Sequence, residues 1–182
     1  MTPTPFVSSS ASDESERFVV DEVDDGLKVE WVSATATDDE FTGTFRITNL
    51  TGEDVWTPSG SYVVQDKERG SYAFARVFLA PDPDVSYYVP PTSSVFLLEA
   101  GESSERRITL SLPFMLTAQR IDAAPTVVDV QSARMCVGYI PASELPEGRP
   151  AEGLYNSTGM RMEDDLGASL QHVSCSESID VE

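Results

Sequence analysis

The residues that could do chemistry are few. His172 is the one histidine in 182 residues, and it stands three positions before Cys175 in "HVSC". A nitrogen and a sulfur at that spacing suit copper or zinc. The surrounding "ASLQHVSCSESI" reads as a strand, however, and an odd offset along a strand sends two side chains to opposite faces. That spoils joint ligation. Met135, Met160 and Met162 are soft ligands in principle, yet core methionines beside a surface histidine are the plainer reading. A serine nucleophile needs a base, and a histidine-based triad could draw only on His172. No Gly-x-Ser-x-Gly sequence occurs, and Ser-Lys chemistry would rest on Lys28 and Lys67, the only lysines. Carboxylate pairs of the glycosidase kind carry no signal, because among 31 Asp and Glu some pair always lies close. The expectation is a protein that is not an enzyme and holds no cofactor.

Two weaker sites remain. "PDPD" projects Asp82 and Asp84 from one turn as hard-oxygen cation ligands, without EF-hand spacing, against the alternative of a solvated acidic surface. "VSYYVPP" sets Val85, Tyr87 and Val89 against Ser86, Tyr88 and Pro90. Paired tyrosines on a proline-rich edge make a contact surface, and the competing reading is one ring inside and one on the rim. Tyr155, in a long polar loop, joins Tyr87 and Tyr88 as a candidate interaction residue. Asn49 and Asn156 match the glycosylation sequon, which matters only in an exported protein.

Cys136 and Cys175 both fall in strand-like segments. Paired, they would close a loop worth roughly 4 kcal/mol in the chain-entropy model. Unpaired, they would pack as small apolar groups. Two cysteines fix neither state nor compartment.

These residues must be positioned by something, and the composition limits what. The formal charge is −19, from 12 Lys and Arg against 31 Asp and Glu. Such a surface repels nucleic acid and anionic lipid, so neither is expected as a partner. Dense carboxylates also suit a high-salt habitat, where screening weakens their repulsion. No window approaches the ~18 apolar residues of a membrane span, so no membrane insertion is expected. The start, "MTPTPFVSSSASDESERF", lacks a basic region and an apolar run and does not read as a signal peptide. Either the protein is cytoplasmic, or a leader was removed and a start methionine added.

Residues 1–26 are rich in Ser, Thr, Asp and Glu and read as a disordered acidic tail, with Phe18, Val19 and Val20 as an apolar exception able to dock. From Leu27 the period becomes two. "LKVEWVSAT" puts Leu27, Val29, Trp31 and Ser33 on one face. "FTGTFRITN" does the same with Phe41, Gly43, Phe45 and Ile47. "SYVVQD" and "SYAFARVFL" flank "KERG" as a hairpin. The prolines of "PDPDVSYYVPP" demote that stretch to an edge strand or an extended connection. "RRITLSL" sends Ile108, Leu110 and Leu112 one way, after a corner at Gly101. "FMLTAQRIDAA" suggests a short helical turn, "TVVDVQ" and "ARMCVGYI" strands, and residues 141–165 a long polar loop. Eight or nine short strands, frequent turns and little helix predict an all-β protein. The expected form is a single β-sandwich domain over residues 27–182.

Three stretches, "FRITNLTGEDV", "YVVQDKERGSY" and "LLEAGESSERRITLSLP", resemble the bacterial telokin-like, immunoglobulin-type extracellular domains. These are the small secreted or lipid-anchored proteins that include the mycobacterial immunoprotective extracellular protein. The first and third are also similar to intracellular proteinase inhibitors of the same general fold. The resemblance implies an immunoglobulin-like antiparallel β-sandwich, an extracytoplasmic location (periplasm, cell surface or secreted), and no catalytic residues. Any lipid anchor would have gone with the leader. The function expected is a non-catalytic binding module for a protein partner. A structural or decoration subunit of a cell-surface or virion assembly from a salty habitat, and a proteinase inhibitor-like domain, are the alternatives.

Overall fold

The computed structural model describes residues 19–20, 22–117, 124–148 and 160–181. Residues 1–18 of the expected tail, and Tyr155 and Asn156 of the expected loop, lie outside the described residues. In chain order the strands are β1 (Val19–Val20), β2 (Leu27–Ala36), β3 (Glu40–Asn49), β4 (Val55–Pro58) and β5 (Tyr62–Asp66). Then come β6 (Ser71–Arg76), β7 (Thr92–Leu98), β8 (Ser103–Ser111), β9 (Met115–Leu116) and β10 (Thr126–Val127). The last are β11 (Ser132–Ala133), β12 (Met135–Pro141), β13 (Arg161–Glu163), β14 (His172–Cys175) and β15 (Ile179–Asp180). One α-helix, α1 (Asp164–Leu170), precedes β14.

The arrangement is an all-β sandwich. Its smaller sheet has the order β2-β3-β8, antiparallel throughout. On β3 the period-two pattern holds: Phe41, Phe45 and Ile47 are buried, with Gly43 on the same face. A side chain at Gly43 would collide with the indole of Trp31, 2.4 Å from its nearest ring atom, so glycine is required where that ring lies. On β2 the pattern breaks. Trp31 pairs with Phe45 and Ser33 with Thr44, leaving Val32 as an extra residue in a bulge. The bulge reverses the alternation, so Ala34 packs on the core in place of the expected Ser33.

The larger sheet has the order β1-β5-β6-β12-β4-β7-β13, with β14 also on β12. β5 and β6 form the expected hairpin across Lys67–Gly70, where Gly70 has φ 64°. β12 pairs in parallel with β6 and antiparallel with β14 and β4. Every residue of β12 is buried, as a strand covered on both faces must be. One face meets the small sheet: Val63, Phe74, Val137 and Leu98 pack with Phe41, Phe45, Ile47 and Ile108. The other face carries two smaller clusters. One joins Val20, Val64, Ala75 and Cys136, and the other Trp56, Phe78, Ile140, Leu145 and Met162.

Several expectations change in detail. The sandwich begins upstream of Gly26, because β1 pairs in parallel with β5 and Lys67 donates to the Val20 carbonyl. The 141–165 segment is not one open loop. It opens with 3-10 turns at Ala142–Glu144 and Pro146–Gly148, and it ends in β13 and the start of α1. Leu145 and Met162 anchor it to the core. Met115 and Leu116, expected in a helical turn, pair with β10 as strand β9. Residues 118–123 of that turn lie outside the described residues.

Cys136 and Cys175 form a disulfide, 39 residues apart. They stand directly opposite each other on β12 and β14, so the ladder itself brings the sulfurs together. A closed loop of that length stabilises by about 4 kcal/mol in the chain-entropy model.

Candidate functional site

The strand parity expected for "HVSC" holds. On β14, Val173 and Cys175 pack with the cluster around Cys136, while His172 and Ser174 turn to the other side. His172 and Cys175 therefore share no ligand position, and the sulfur is committed to the disulfide.

His172 and Ser174 instead meet a residue from the stretch read as tail. The amide of Asp24 donates to the Val173 carbonyl at 2.8 Å, which lays this segment beside β14. The Asp24 carboxylate accepts hydrogen bonds from the Gly26 amide (3.1 Å), the Ser174 hydroxyl (2.8 Å) and the Tyr139 hydroxyl (2.8 Å). Glycine is needed at 26, since a side-chain carbon there would fall 1.9 Å from the Tyr139 oxygen. The imidazole of His172 stacks on the Tyr139 ring, with centroids 5.4 Å apart. Its Nδ1 lies 3.4 Å from Asp24, and its Nε2 lies 2.8 Å from Glu144.

The electrostatics follow from these contacts. Burial works to raise the Asp24 carboxyl, but the Gly26 amide, the two hydroxyls and the charge of His172 together hold it below its ordinary value. Burial raises the Tyr139 phenol, and the hydrogen bond to Asp24 with its negative charge raises it further. Serine, histidine and aspartate are all present, yet their wiring is not that of a hydrolase. The buried Ser174 hydroxyl donates to Asp24, not to His172, and accepts from the Leu27 amide at 3.0 Å. A nucleophile needs its base within hydrogen-bond reach and an open side. The cluster works as a latch joining the segment before β2 to β12 and β14.

Beside the latch is a cleft of about 470 Å³. It is lined by Val20, Val23, Phe78, Ala80 and Val173 together with Glu22, Asp24, Gln171 and His172, a mixed and partly polar surface. The Gln171 amide fixes one wall. Its Nε2 donates to the Phe78 carbonyl at 2.8 Å, and its Oε1 accepts from the Phe78 amide at 2.9 Å.

Phe78 and Ala80 open the connection between β6 and β7, which contains the proline-rich stretch. It is an extended connection without ladder pairing. Asp82 is buried and its carboxylate accepts the Asp84 amide at 2.9 Å, capping the turn, while Asp84 faces solvent. The two carboxylates thus serve different ends. Among the described residues no three His, Cys, Asp or Glu side chains gather as a metal site. The Tyr87 hydroxyl accepts from the Asp82 amide at 3.1 Å and braces the turn. Tyr88 projects fully, at 103 % relative exposure, with Val89 half-exposed beside it. Tyr155 lies outside the described residues.

Asn49 is not an accessible sequon. It is 1 % exposed, and its amide nitrogen reaches the carbonyls of Glu53, Leu98 and Glu99, pinning the corner that Gly101 turns at φ 76°. The latch residue Asp24 is the main feature that local sequence pattern does not disclose. Its one signal is an aspartate two residues before a glycine, the pattern of a side chain capping its own backbone. Comparison with family models, with curated proteins and with solved structures finds no match to this chain.

Proposed function

We propose that the protein is a non-catalytic, extracytoplasmic interaction module that acts by protein–protein contact through the β6–β7 connection. The observation that carries this reading is Tyr88. Its ring stands wholly in solvent on a segment that prolines stiffen and Tyr87 braces from below. An aromatic held that way has little entropy left to lose on binding, which is what a contact residue needs. The Cys136–Cys175 disulfide supports an oxidising setting. The wiring of Ser174 supports a latch over a nucleophile. In this reading the sandwich is a rigid mount and the connection is the surface it presents.

A photo-cross-linking amino acid at position 88, in the full chain on the cells that make it, tests this. The expected result is a discrete adduct from position 88 and none from position 28, on the small sheet. No adduct from 88, or the same adducts from both, overturns the proposal.

A further inference from the structure

Two arginines enter the gap between the sheets. Strand parity puts Arg76 on the core face of β6 with Phe74, and Arg106 on the core face of β8 with Ile108. The Arg76 guanidinium lies 5.5 Å over the Phe45 ring, and that of Arg106 lies 5.3 Å over the Phe96 ring. Arg76 donates from Nη2 to the Arg107 carbonyl, while its Nε is buried without an acceptor. Burial and the neighbouring charge of Arg106 both lower the pKa of Arg76.

No described residue forms an ion pair with Arg76, Arg106 or Arg107. That is unusual in a chain with 31 acidic and 12 basic side chains. Other arginines find carboxylates: Arg46 takes Glu105 at 2.6 Å, and the buried Arg134 takes Asp66 and Glu68, each at 2.6 Å. Two like charges in one gap repel, and their repulsion remains until an anion joins them. Aromatic faces orient guanidinium planes without neutralising them; Arg106 also donates from Nη1 to the Glu105 carbonyl at 3.5 Å, which leaves the remaining donors of the two side chains for a planar acceptor. Phe96 is half-exposed and gives the gap an apolar border.

We propose that Arg76 and Arg106 form a carboxylate-binding site in the gap between the sheets, bordered by Phe96. The carboxylate comes from a free organic acid or from an acidic side chain of a peptide, since both present the same planar pair of oxygens. The chain's overall charge of −19 repels both, so saturable binding of either must be local. This site is separate from the β6–β7 connection, and its test stands or falls apart from the cross-linking experiment.

The test uses the full, oxidised chain with ¹⁵N-labelled arginine side chains in low-salt buffer. Succinate is titrated in one arm and a capped tetra-glutamate peptide in another, with a capped tetra-lysine peptide as control. The expected result is a saturable shift of the Arg76 and Arg106 Nε–H signals with a carboxylate probe and none with tetra-lysine. Arg106→Gln should weaken binding by about tenfold or more, as loss of a charge-assisted pair implies. Arg106→Glu supplies an internal carboxylate to Arg76, so it should abolish binding while keeping the thermal midpoint at or above the parent's. Saturation by succinate, with or without the peptide, assigns the site to free acids, and saturation by the peptide alone assigns it to a partner's side chain. No saturable shift with either probe, or equal affinity in Arg106→Gln, overturns the proposal.

Discussion

At Asp24 three donors and a nearby imidazole outweigh the cost of burial, so the carboxylate titrates lower in the folded protein than in the unfolded chain. The sign of the linkage follows. Its stabilisation is full above the unfolded value near 3.8 and is lost as pH falls through the lower folded value. Asp24→Asn should therefore cost about 1 kcal/mol near pH 7, a figure already reduced for the partial exposure of the group. The same substitution should cost less at a pH well below 3.8 than at pH 7, because the parent carboxylate loses its charge as pH falls through the lowered folded value. Urea midpoints of parent and variant at the two pH values check this. An equal difference at both would mean that the charge of Asp24 does not matter to the latch.

At the scale of elements, Gln171 does for Phe78 what a neighbouring strand would do. Its amide satisfies both backbone groups of a residue where the β6 ladder has ended. Gly138 makes room for it, since a side-chain carbon there would lie 2.4 Å from the Gln171 oxygen. Gln171→Ala should leave the Phe78 amide unsatisfied, at a cost of about 1–3 kcal/mol. Exchange of the Phe78 amide should accelerate by about tenfold or more. Unchanged exchange there would show that solvent, not Gln171, governs the amide. The elements legible in the sequence were those where parity and turn residues agree: the β2–β3 and β5–β6 hairpins, β8, and the corner at Gly101. The bulge at Val32 was not legible, because an extra residue leaves no compositional mark and only the partner strand reveals it. Arg106 was legible in part: it shares the parity of Ile108 in "RRITLSL", so an inward arginine follows from alternation alone. Its neighbour Arg76, and the latch between Asp24, Tyr139 and Ser174, join residues 30 to 150 positions apart. Local pattern holds no information on such pairs.

For the whole molecule the largest influence beyond the core is the net charge of −19. Self-repulsion of that size destabilises the compact state, and salt relieves it by shortening the Debye length from ~30 Å at 0.01 M to ~3 Å at 1 M. The thermal midpoint should accordingly rise by several degrees across that range, on the order of 1–2 kcal/mol. Calorimetry in sodium chloride reads this directly, and a flat or falling midpoint would show that the carboxylates are spaced widely enough not to repel. The placement of β12 has a consequence of a different kind. This strand bridges β6 and β4, which are made long before it, and takes β14, which is made after it. Until a ribosome has released residue 141, the β1-β5-β6 group and the β4-β7 pair of the large sheet have no strand to link them. The large sheet therefore closes late in synthesis, on pairings between segments far apart in the chain, which are the slow ones to form.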